Sequence, residues 1–179
     1  PPGGLDNFNS GFLPASFQGS IFNSGDHPVA NIRRREQSVP AQRRTLDLVR
    51  DLDREVIERV GNDDQIETAI ANYETAFKMQ SSIPELMDLS DESQALKTAY
   101  GFDEPWRGTQ VFARQCLLAR RLVERGVRFV ELTCPGGAGD RWDQHSGLRD
   151  GHTKNCLAVD QPIAALLEDL KQRGLFEST

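Results

Sequence analysis

Chemistry-bearing side chains are densest in one short stretch, Asp140–His152, which reads D-R-W-D-Q-H-S-G-L-R-D-G-H. It holds two of the chain's three histidines and one of its two tryptophans. Asp143 and His145 stand two apart beside Trp142. A carboxylate and an imidazole at that spacing converge on one divalent ion if the loop turns, because zinc accepts both donor types. His152 and Asp150 are the other candidates nearby. The competing reading is an ordinary polar loop, since a lone D-x-H has little specificity.

Other motifs carry less. The run Gly136-Gly137-Ala138-Gly139 matches neither G-x-x-x-x-G-K-[ST] nor G-x-G-x-x-G, so it reads as a flexible turn. No G-x-S-x-G elbow is present. Cys116, Cys134 and Cys156 form no C-x-x-C pair, which argues against a zinc ribbon. Cys116 falls in a helical apolar pattern and reads as a small core residue, and Cys134 as a half-buried thiol.

The elements that must position these groups follow from periodicity. Residues 1–40 are rich in Gly, Pro, Asn and Phe and predict an irregular segment packed on a larger body. Residues 41–179 form the second region. Leu46, Val49, Leu52, Val56, Ile57 and Val60 mark one helix, closed by Gly61. Ile66, Ile70, Tyr73, Phe77 and Met79 mark a second, broken at Ile83-Pro84. A short helix is expected from Ser90 to about Tyr100 and a longer one from Thr109 to Arg125, with Arg114, Arg120, Arg121 and Arg125 on its solvated face. V-R-F-V-E-L-T at 127–133 predicts a strand. A helix is expected from Val159 to Arg173, with Asp160 and Pro162 in its first turn. Helix, strand, loop and helix make an α/β unit, and open α/β sheets place ligands at strand ends, where Asp140–His152 would lie.

The 179 residues allow one domain with a core. A net charge of −6 argues against a general nucleic-acid binder. No apolar run approaches the ~20 residues of a membrane span. The chain opens P-P-G-G without Met, no signal peptide is visible, and one strand makes no sheet, so it reads as a piece cut from a larger protein.

Five phrases together carry a resemblance: G-F-L-P-A-S-F-Q-G at 11–19, Y-E-T-A-F-K-M-Q at 73–80, C-L-L-A-R-R-L-V-E-R-G-V-R-F-V-E-L at 116–132, W-D-Q-H at 142–145 and D-Q-P-I-A-A-L-L-E-D-L-K-Q-R-G-L at 160–175. The chain resembles the domain-of-unknown-function family 1501, a bacterial family similar to sulfatases within the alkaline phosphatase superfamily. The resemblance implies a middle segment of an α/β/α sandwich, helix-rich and with few strands in this chain. It implies an exported or periplasmic parent that hydrolyses small sulfate or phosphate esters with divalent metal (Zn, Ca, Mg or Mn). Metal ligands would include Asp143 and His145, with His152 able to replace His145, because the superfamily pair is usually spaced D-x-x-x-H. The nucleophile would lie outside the chain. The alternative is a non-catalytic binding or surface protein with the same fold.

Overall fold

The computed structural model describes residues 11, 19–22, 36–61, 64–134 and 142–179. Most of the irregular segment expected over 1–40, and the glycine-rich turn at 136–139, lie outside the described residues. The chain divides into two compact units, residues 2–85 and residues 86–179 with Pro1.

The first unit holds a pair of helices, α1 (Val39–Val60) and most of α2 (Asp64–Met87). Ser38 caps α1: its hydroxyl accepts from the Ala41 N–H at 3.2 Å, and Pro40 supplies a preset φ in the first turn. Gly61 ends it with φ +88°, a conformation that favours glycine, and its N–H donates to the Ile57 carbonyl. The two helices run antiparallel. Gln42 bonds Gln80, and the Arg43 guanidinium pairs with Glu74 at 2.9 Å while lying over the Phe77 ring. Pro84 does not end α2, which continues to Met87. The cost is confined because Pro84 removes one bond only a turn from the helix end.

The second unit is built from α3 (Gln94–Tyr100), α4 (Arg107–Glu124), α5 (Leu148–Gln172) and a closing 3-10 turn at Phe176–Ser178. Ser93, rather than Ser90, caps α3. Thr109 meets Leu157, Arg120 meets Asp169 and Glu124 meets Arg173, so numbering rises together along α4 and α5. The two long helices are therefore parallel, and parallel neighbours need a long return connection, here residues 125–147. Between and beside them lies the core: Leu89, Tyr100, Phe112, Ala113, Cys116, Leu117 and Leu118, with Leu132, Val159 and Leu166 packed against it.

The expected α/β sandwich is overturned. Among the described residues every regular element is helical and no strand forms. Residues 127–133 are extended, and Val130 and Leu132 turn inward as period two requires, but among the described residues no second strand pairs with them. A strand exists only as one side of a ladder. The outward face is left bare, with Phe129 82% exposed.

The last helix also differs from expectation. It begins at Leu148, about three turns before Val159, so the last five residues of the supposed polar loop are helical. Pro162 sits inside α5, where it withholds the N–H that the Ala158 carbonyl would have accepted. Full burial of Pro162 offsets part of that cost. The bend is braced locally: the Thr109 hydroxyl donates to the Leu157 carbonyl at 2.7 Å, and the Gln161 amide donates to the carbonyls of Thr98 and Ala99 at the end of α3.

Candidate functional site

The residues singled out for metal chemistry are only partly brought together. Asp143 Oδ2 and His145 Nε2 lie 3.1 Å apart, both exposed, and hold each other. His152 is one turn into α5, stacked on Trp142 with ring centroids 5.9 Å apart and planes at 24°. Asp150 is paired with Lys154 on the helix surface. Among the described residues no group of three or more His, Cys, Asp or Glu side chains is arranged to hold a metal ion. A tight divalent site needs at least three protein donors. The expectation of a divalent cofactor is corrected accordingly, and with it the metal-dependent hydrolase and its sulfate or phosphate ester substrate. Neither the sheet nor the ligand cluster such chemistry requires is found among the described residues. The alternative of a non-catalytic protein on the same sandwich falls with the sandwich.

The densest charge cluster is buried. Arg120, expected on the solvated face, is 3% exposed. Its guanidinium reaches Glu92 and Glu124 at 2.6 Å each and Asp169 at 3.1 Å. Arg121 pairs with Asp91 and Glu92, Arg173 with Asp169 and Glu124, and the Tyr100 hydroxyl donates to Asp169 at 3.0 Å. Burial alone would lower the Arg120 pKa, but its bonds to Glu92 and Glu124 outweigh that and raise it. Burial first, then the Asp169 carboxylate, pushes the Tyr100 phenol far above its ordinary value. Four carboxylates against three guanidiniums leave no charge there without a partner. The network joins α3, α4, α5 and the Leu89–Ser93 turn and is structural. Its sequence signal was the two i,i+4 pairs Arg120–Glu124 and Asp169–Arg173.

A surface feature that sequence reasoning missed lies at the other end of the unit. Because α5 begins about two turns earlier than α4 along their parallel axes, its N-terminal half overhangs. Between that overhang and the approach to α4 runs an open groove of about 960 Å³. Glu104, Pro105 and Trp106 form one wall. The α5 ridge from Leu148 through His152, Cys156 and Leu157 to Gln161 forms the other. Leu148 and Leu157 are each 57% exposed, and Trp106 is also open to solvent. Trp106 lies close over Gly108: a Cβ there would come 2.7 Å from its Nε1 and 3.1 Å from the Ala158 methyl. Glycine lets the indole lie flat over the first turn of α4 where α4 meets α5. The only precursor in the sequence was the spacing of Leu148, His152, Cys156 and Asp160, one face of a helix had that helix been recognised. The space between α1 and α2 beside Leu46, Ile70 and Tyr73 is about 10 Å³, enough for about one water.

The model of one protein family, described as "Protein of unknown function (DUF1501)", matches residues 1–179. The chain belongs to the DUF1501 family. The match spans the given residues from end to end, and what the described residues of this DUF1501 chain build is helical rather than sulfatase-like. No curated protein and no solved structure matches it. Among the described residues of the DUF1501 chain, no helix is long and apolar enough to cross a membrane.

Proposed function

We propose that the unit over residues 86–179 is a helical binding module whose α4–α5 groove takes an apolar segment of a partner protein. One observation carries this reading. A groove of about 960 Å³ is walled by a tryptophan lying against Gly108 and by two leucines more than half exposed. Exposed apolar surface that is contiguous and concave costs solvation and marks a place where something docks. Tryptophan is among the side chains most often found to dominate binding energy at interfaces. The ion network at the opposite end supports the role, because it holds α3, α4 and α5 rigid without using the groove.

The test uses an anilinonaphthalene dye as apolar probe on the whole chain. Dye fluorescence should rise on binding, and Leu148→Glu with Leu157→Glu should abolish the rise. Both side chains are already largely exposed, so circular dichroism and the unfolding midpoint should be unchanged. Equal dye binding by the double variant would refute the assignment.

A further inference from the structure

The two ends of the groove carry opposite charge. Arg149 stands at the N-terminal end of the α5 ridge and Asp160 near its far end. Helical rise over that interval is about 16 Å. Glu104 belongs to the Asp160 end, because its carbonyl accepts from Gln110, a turn of which carries Thr109 to the Leu157 carbonyl beside Gln161. Arg149, Asp160 and Glu104 have no ion-pair partner among the described residues. The neighbouring Asp150 and Lys154 neutralise each other. Between Arg149 and Asp160 the ridge presents His152, Cys156 and Leu157, with Leu148 beside Arg149 and Trp106 on the opposite wall.

The field at the Arg149 end is reinforced by the helix itself. Gly147 offers no side chain to cap α5, so the first-turn N–H groups and the positive end of the helix dipole add to the guanidinium. A carboxylate is favoured there, and an ammonium or guanidinium at the other end. The apolar middle and the roughly three turns between the charges fit a helix laid along the ridge, with its apolar side inward.

We propose that the occupant is an amphipathic helix of a partner protein, carrying a carboxylate at one end of its apolar stripe and a Lys or Arg about three turns away. This rests on the reading of the groove as a docking site and adds what docks. The carboxylate sits against Arg149 and the cation between Asp160 and Glu104, so charge sets the partner's choice while Trp106 and the leucines supply the contact area.

Two synthetic helical peptides of about 15 residues test this, each with the same Leu/Ala stripe. One carries Glu and Lys about 16 Å apart, the other Lys at both positions. Binding to the whole chain is followed by displacement of the anilinonaphthalene dye. The native chain should prefer the Glu/Lys peptide by about tenfold, and Arg149→Glu should reverse the preference. The difference should shrink at high salt, as expected of partly exposed charges. Equal affinity of the two peptides for the native chain, or an unchanged preference in Arg149→Glu, would overturn the charge assignment. Displacement by neither peptide while the dye still binds would overturn the helical occupant and leave the groove reading intact. Failure of the dye itself to bind at the groove would remove both.

Discussion

Arg120 Nε and Asp169 Oδ2 lie 3.1 Å apart with both side chains at most 5% exposed, and the pair ties the last third of α4 to the last third of α5. Removing one partner of such a pair strands the other in a poor dielectric. Arg120→Met should therefore destabilise the unit by roughly 3–5 kcal/mol, because Asp169 and Glu92 lose a buried cation at once. Urea unfolding monitored by circular dichroism measures it. A loss under about 1 kcal/mol would mean that water reaches the network.

The Tyr100 phenol, raised by burial and by Asp169, gives a pH dependence with a definite sign. A folded-state value above the unfolded one contributes stability that is complete below the unfolded value near 10 and is lost as pH rises beyond it. Thermal unfolding should show a midpoint falling above about pH 10. Tyr100→Phe should flatten that limb and cost about 1 kcal/mol at neutral pH for the lost hydrogen bond. An identical alkaline limb in the variant would assign it to other groups.

Gly108→Ala isolates the Trp106 support. The new methyl cannot coexist with the indole at 2.7 Å, so the ring must swing away. Alanine's helix propensity returns up to about 1 kcal/mol, so overall stability should change little. Dye affinity should fall severalfold and tryptophan emission should shift. Unchanged affinity would show that the indole's resting place is unimportant to the groove.

The three thiols should separate by reactivity. Cys116 is buried and its thiol is pushed up to about 12 by that burial. It should react with a disulfide reagent only on unfolding, since the thiolate is the attacking species. Cys156 is exposed on the groove ridge and should react first, with half-buried Cys134 slower. A bound groove ligand should slow Cys156 and leave Cys134 alone. Equal slowing of both would point to a global change rather than to occupancy.

Local pattern made some of this legible and not the rest. The stripe of α4 is continuous, and Gly61 and Cys116 do in the structure what their types predict, whereas Leu52 and Val56 of the expected α1 stripe are exposed. The failures share a cause, dependence on contacts distant in sequence. Val127–Thr133 has the composition of a strand, but a strand needs a partner that this stretch does not find among the described residues. Arg120 and Arg121 read as a solvated face until Glu92 and Asp169 close over them. Pro162 reads as a helix start because its surroundings are braced by distant residues: Thr109 bonds the Leu157 carbonyl, and Gln161 bonds the carbonyls of Thr98 and Ala99, contacts spanning 48 to 63 positions. The stretch from Asp140 to His152 reads as one loop, whereas α5 takes its last five residues and turns His152 toward Trp142 and the groove. Leu157 and Trp106 meet at that groove only because α4 and α5 run parallel, which no local pattern announces.

The groove is the centre of the account, and amide chemical-shift mapping on the whole chain tests it most directly. Titrating the Glu/Lys helical peptide should move the resonances of Trp106, Leu148, Arg149, His152, Cys156, Leu157 and Asp160, and leave those of Arg120, Asp169 and α1 in place. Shifts confined to other residues, or none at saturating peptide, would contradict it.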